Sequence, residues 1–283
     1  MHHSPADHDA RRAAHEARVG ALVAGHLERR AAGIKHPVED FLFTYYSYKP
    51  AQLRRWFPGF TEELGDKELA RIRWTRDLLA ATRGRPAHLG CFGLHEWAMV
   101  YRVPDTRHAV PLRMTGEALA EFVESREIRC SHFDAYRFFT PPARPLNLLS
   151  PTRESQADNE QPGCLHANMD LYKWAYKLAP HVPAELIADC FELARDIRTL
   201  DMRASPYDLA AAGYEPVRIE TPEGRAEYVR AQQEFSTRSG PLRDRLVEAC
   251  EVLLREGVGE RVDQGQPARL DDVRVDADRR ELV

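Results

Sequence analysis

Between Pro183 and Ser205 the chain reads PAELIADCFELARDIRTLDMRAS, in which Leu186, Cys190, Leu193, Ile197 and Leu200 recur at alternating steps of four and three. That period fits a helix with one apolar stripe and no strand. Such a stripe must be covered by other elements, so this segment commits the chain to helix-on-helix packing. Glu185, Asp189, Glu192 and Asp196 keep the same rhythm one residue earlier. This acidic line has two readings: carboxylates offered to a metal or to proton transfer, as in helical carboxylate bundles, or a charged outer face with Arg195, Arg198 and Arg203 close by.

The rest of the sequence extends the helical pattern. Val19, Leu22, Val23 and Leu27 predict an amphipathic helix over Asp9 to Ala32. HPVEDFLFTYYS, residues 36 to 47, predicts a buried helix opened by Pro37, with Glu39 and Asp40 in its first turn. Shorter or punctuated helices follow at PAQLRRWFPG, at Lys67 to Thr82, from about Ala87 through Arg102, at Thr115 to Ser125 with Thr115 as cap, and over residues 163 to 177. After Thr221 and Pro222 two more are expected, separated by Gly240 and Pro241. Strands are predicted at Leu112 to Met114, at the alternation opening REIRCSHFDAYRFF, and at Val217 to Ile219, with a turn between Pro104 and Pro111. The sequence thus implies a mainly α, bundle-like single domain with a few short β-strands. Residues 1–35 would form a peripheral N-terminal helix, 36–256 the main helical catalytic domain, and 257–283 a flexible C-terminal tail.

A chain of 283 residues with 43% hydrophobic content has material for a substantial core. Its 40 Lys and Arg against 44 Asp and Glu give a net charge of -4, which excludes a polycation built to coat DNA or anionic lipid. No run reaches the roughly 18 apolar residues of a membrane helix, and the N-terminus lacks an apolar signal core, so a cytoplasmic, membrane-free protein is expected. Five cysteines without a CxxC pattern read as reduced thiols.

Candidate chemistry gathers in three stretches. In GCLHANMDLYKWAYK, His166, Asp170 and Lys173 share a helical face, a combination suited to exchanging a proton, positioning a water or holding a metal. GCFGLHEWAMVYR brings His95 beside Glu96, but Met99 occupies the place where a zincin would need its second His. RCSHFDAYRFF places His132 and Asp134 just before a proline-fixed loop.

HPVEDFLFTYYS, GCFGLHEWAMVYR, RCSHFDAYRFFTP, EQPGCLHANMDLYKWAYKL and DMRASPYDL together resemble an actinobacterial family commonly labelled 3-methyladenine DNA glycosylase, over His36 to about Leu246. The resemblance implies an N-glycosidic hydrolase that releases alkylated adenine from DNA. Such an enzyme must hold an unstacked base between aromatic faces and direct a water with a carboxylate. Trp97, Tyr101, Phe133, Tyr136 and Trp174 are the stacking candidates, and His166, Asp170, Asp134 and Lys173 the catalytic ones. The alternative from residue chemistry is a helical metalloenzyme, an oxygenase or hydrolase of a small molecule, with iron, manganese or zinc held by His95, Glu96, His132, His166 and Asp170. Both readings require these distant couples to meet at one place.

Overall fold

The computed structural model describes residues 5–59, 64–103 and 110–259. Among them the chain forms α1 (Pro5–Ala31), α2 (Phe41–Tyr45), α3 (Pro50–Arg54), α4 (Asp66–Arg83), α5 (Leu94–Ala98), α6 (Gly116–Glu124), α7 (Phe133–Tyr136), α8 (Gln156–Asn159), α9 (Leu165–Met169), α10 (Leu171–Lys177), α11 (Ala184–Arg203) and α12 (Pro222–Gly259). The helix over Pro183 to Ser205 becomes the axis of the molecule. α11 packs against α1, α9, α10 and α12, while α4 lies along α12. Leu186, Leu193 and Ile197 are at most 2% exposed, each burial stabilising the fold by roughly 1.5–3 kcal/mol. The result is a single helical domain, and none of its described helices is long and apolar enough to cross a membrane.

The acidic line of α11 is a docking seam. Arg11 and Arg18 of α1 lie seven residues apart on one face; Arg11 pairs with Glu185, and Arg18 reaches Asp189 at 2.8 Å and Glu192 at 2.7 Å. From α12, Arg245 meets Asp189 and Arg238 meets Asp196. These half-exposed pairs fix the register of the neighbouring helices more than they stabilise them. Val19 and Val23 sit in the core, so α1 contributes to the same apolar interior as the body it borders.

The expected strands do not form. Among the described residues only two isolated bridges occur, Leu112 with Tyr207 and Ile128 with Asn147. At the second, the Asn147 side chain accepts from the Cys130 amide at 2.7 Å and donates to its carbonyl at 3.0 Å, taking the place of the next backbone partner. Val217 donates to the Arg203 carbonyl at the end of α11, and its own carbonyl accepts from the Ile219 amide two residues on. The helix expected from Ala87 begins only at Leu94, because Phe92 and Gly93 adopt left-handed φ values of 46° and 70° that no right-handed helix can pass through. Residues 163 to 177 divide into α9 and α10, which meet at Asp170, a residue of right-handed helical conformation. Conversely, Pro241 does not end α12: Tyr228 and Gln232 before it and Leu246 and Cys250 after it are all fully buried, so packing on both sides outweighs the missing amide. The turn expected between Pro104 and Pro111 lies largely outside the described residues, as does the tail beyond 259.

Thr115 caps α6 as its sequence position suggests, its hydroxyl accepting from the Ala118 amide at 3.3 Å. Thr115→Ala should therefore cost about 1 kcal/mol in urea denaturation.

Candidate functional site

Ahead of α5, the left-handed turn at Phe92 and Gly93 aims His95 inward, where its Nε2 meets Asp201 Oδ1 at 2.8 Å. Asp201 belongs to the last turn of α11, and Arg198, three residues earlier, donates to its other oxygen at 2.9 Å. The same guanidinium nitrogen donates to Glu96 Oε1 at 2.8 Å, and the guanidinium stacks 3.9 Å from the Phe41 ring centroid. His95, Glu96, Arg198 and Asp201 are all at most 5% exposed. His166, at the start of α9, stands edge-on to His95 with ring centroids 4.3 Å apart. One ligand atom from each of His95, His166 and Asp201 lies within 4.8 Å of the other two.

On its opposite side His166 stacks on His132, centroids 5.3 Å apart. Here a second buried cluster begins. His132 Nε2 lies 3.3 Å from both Glu160 Oε1 and Asp170 Oδ2. Tyr46 donates to Asp170 Oδ1 at 2.8 Å, and Gln156 to Glu160 at 2.6 Å. Lys173 bridges Asp170 at 3.2 Å and Asp134 at 3.0 Å, and Arg153 and Arg137 close the outer side of Asp134 at 2.9 and 3.2 Å. The three imidazoles thus form a row, with Asp201 at one end and Asp170 and Glu160 at the other.

The surroundings set these charges. Burial works against the Asp170 carboxylate, but Lys173, His132 and the Tyr46 hydroxyl overcome it and hold Asp170 far below the usual carboxylate range. Asp134 is lowered in the same way, burial being outweighed by Lys173, His132 and Arg153. Burial raises Glu160. His132 loses hydration, yet Asp170 and Glu160 raise it above an ordinary histidine. His166 goes the other way: burial and its neighbours His95 and His132 push it well below the normal value, so it is a neutral imidazole with a lone pair to give.

The three couples of the sequence therefore come together, but each with its partner exchanged: the carboxylate grouped with His166 is Asp201, while Asp170 lies beside His132. Glu96 is engaged by Arg198, and the carboxylate beside His95 is Asp201; Asp134 is turned to Lys173 and the arginines, and the carboxylates beside His132 are Asp170 and Glu160. Among the proposed ligands His95 and His166 share a site, while His132 and Asp170 stand in the adjoining cluster. A small cavity of about 20 Å³ borders His95 and His166 and is walled in part by Cys91, Cys130 and Cys164. None of the five proposed stacking aromatics lines it. Trp97 is wholly buried with its N–H on the Ala204 carbonyl and Arg113 over its ring. Tyr101 bonds Glu124, Phe133 lies under Arg153, Tyr136 packs on Phe139, and Trp174 on Trp74.

Comparison of the chain with protein-family models, with curated proteins and with solved structures gives no match. The donor set itself fits a cation. Two imidazoles and a carboxylate suit a divalent first-row metal that keeps open positions. The Arg198 hydrogen bond on the far oxygen of Asp201 is the kind of outer contact that orients such a ligand.

Proposed function

We propose that this chain is a metal-dependent enzyme of small-molecule chemistry, in which His95, His166 and Asp201 hold one divalent cation, iron or manganese before zinc. The observation that supports this most is the approach of three donor atoms, brought from α5, α9 and α11, to within 4.8 Å of one another. Buried polar groups cost free energy unless they are engaged; His95 and Asp201 engage each other, and the half-buried His166 beside them is the imidazole that a cation would join to the pair. The cation would supply Lewis acidity or redox capacity at the cavity. Beside it, Asp170 and Lys173 keep fixed charges close to His132, which is placed to hold or give up a proton next to the reacting centre.

The test is metal content. Chelator-stripped, untagged protein titrated with ferrous, manganous or zinc ion should take up one ion per chain. His166→Ala and Asp201→Asn should lose it, while Glu96→Gln should keep it. Loss in Glu96→Gln with retention in Asp201→Asn would overturn the assignment.

The N-glycosidic hydrolase reading draws on one specific observation, the ionised pair Asp134 and Asp170 beside a lysine, since a held carboxylate can direct a water. It asks for a base pocket as well, and of the aromatics that would make one Trp97, Tyr101 and Trp174 are buried in the core while Phe133 and Tyr136 are half-buried. Release of alkylated adenine from methylated DNA, abolished in Asp170→Asn, would favour it over the metal-dependent reading.

A further inference from the structure

We infer that Gln232, on α12, is the positioning residue of the His95, His166 and Asp201 centre, its side-chain amide fixing the separation of the two loops that carry the histidines. The role rests on the metal reading above and adds to it what holds the donors in place before an ion arrives. Asp201 stands on the 20-residue α11 and is placed by that helix. His95 and His166 belong to α5 and α9, each of five residues. Helices of one turn have no stability of their own, because nucleation costs more than so few hydrogen bonds return. Their placement has to come from what grips them.

α12 grips both. Gln232 is fully buried, and its Nε2 donates to the Gly163 carbonyl at 2.6 Å and to the Cys91 sulfur at 3.1 Å. Gly163 lies three residues before His166 and Cys91 four before His95, so one nitrogen joins the two approaches. One turn earlier on α12, Tyr228 packs on Gly93, where an added Cβ would lie 3.4 Å from the ring, and its hydroxyl stands 4.0 Å from the same sulfur. This contact backs the left-handed turn that aims His95 inward. The loops themselves meet backbone to backbone: a Cβ at Gly163 would come within 2.6 Å of the His88 carbonyl oxygen. Farther along α12, Arg243 donates to Asn168 at 2.5 Å and so holds the other end of α9.

For the fold alone this amide is a poor choice. Gln232 Oε1 finds no partner among the described residues, and a buried oxygen without one works against stability. An apolar side chain of similar length would avoid that cost, yet it could not join the loops.

The experiment titrates the chelator-stripped full chain with cobaltous ion, whose visible d–d bands report the geometry of its donors. Gln232→Met removes the joining nitrogen, and Cys91→Ala the sulfur that receives it. Gln232→Met should bind cobalt roughly tenfold more weakly or worse, as expected when a contact that orients metal ligands is lost, and its bands should shift. Cys91→Ala should move both readouts the same way by less, because the Gly163 bond remains. Since the two changes cut one join, their effects should not add in the double variant. Ser239→Ala, on the same buried face of α12 but bonded to the Ser236 carbonyl of its own helix, should bind and absorb like the parent. A purely structural role would lower the melting temperature and leave the bands of the bound ion in place. Parent-like affinity and bands in both variants, or losses that add in full, overturn the positioning role and leave the metal reading standing. Should Gln232→Met fail to fold, Cys91→Ala decides by the same criterion. A parent protein that takes up no cobalt removes both.

Discussion

Exchanging Lys173 for methionine will cost the folded state about 3–5 kcal/mol at neutral pH, the price of stranding buried charge whose partner has gone. Lys173 is 13% exposed and stands between Asp170 and Asp134, which are 2% and 4% exposed. Methionine matches its length and removes the ammonium. For Asp170, burial is the largest influence and acts against the charged form; Lys173 is the first of the groups that reverse it. In the parent protein both carboxylates are therefore depressed. The stability they contribute is fully present above the unfolded value of about 3.9 and is lost as pH falls through the folded one. In Lys173→Met the strongest group opposing burial is gone, His132, Tyr46 and the arginines alone remaining against it, so the variant loses its carboxylate contribution at a higher pH than the parent does. Urea midpoints should differ most near neutrality and come together only well below pH 4, as the pH falls through the depressed values of the parent carboxylates. A difference under about 1 kcal/mol at neutral pH would mean that water reaches this cluster and screens it.

What the sequence disclosed, and what it withheld, follows from how far each signal reaches along the chain. α4, α6 and α11 were legible because their apolar residues repeat at helical spacing and their ends carry Thr115, Pro183 or the Gly84 punctuation. The interruption before His95 was not, since Phe92 takes its left-handed conformation from tertiary packing and Gly93 alone is a weak stop. The error at Glu96 has the same origin. Neighbours in sequence point about 100° apart on a helix, so the carboxylate able to face His95 had to come from elsewhere, and Asp201 lies 106 positions on. One clue was present: Arg198 and Asp201 stand three apart on the most regular helix, where an inward ion pair has to serve something. The acidic line is open in sequence to two readings, a metal-binding face and a charged outer face with Arg195, Arg198 and Arg203; it is a seam between helices, Arg198 is buried, and the partners Arg11 and Arg18 on α1 could be found only by noticing that they too repeat at seven. Helical periodicity reports which side of an element is buried; it does not report which element comes to meet it.

Arg198→Met should separate a centre built for a cation from an ion-pair network built for the fold. Without metal the variant is expected to lose about 3–5 kcal/mol, because Glu96 and Asp201 then remain buried without their shared guanidinium. Metal affinity feels two opposing changes. Loss of the contact that orients Asp201 weakens binding by 10–100-fold, about 1.4–2.8 kcal/mol. Arg198 sits on the far oxygen of Asp201, and removing its charge would relieve repulsion of a dication held by that carboxylate, several kcal/mol for charges a few ångströms apart at an effective dielectric of about 20. Relief is the larger, so ferrous or manganous ion should raise the melting temperature of Arg198→Met by more than it raises that of the parent. At a hundredfold excess over Kd the ion returns about 2.7 kcal/mol to the variant, most of what the substitution took. If the ion leaves the variant's melting temperature unchanged, Asp201 and His95 are held for the fold alone, and the Arg198 guanidinium is itself the cation this site was built around.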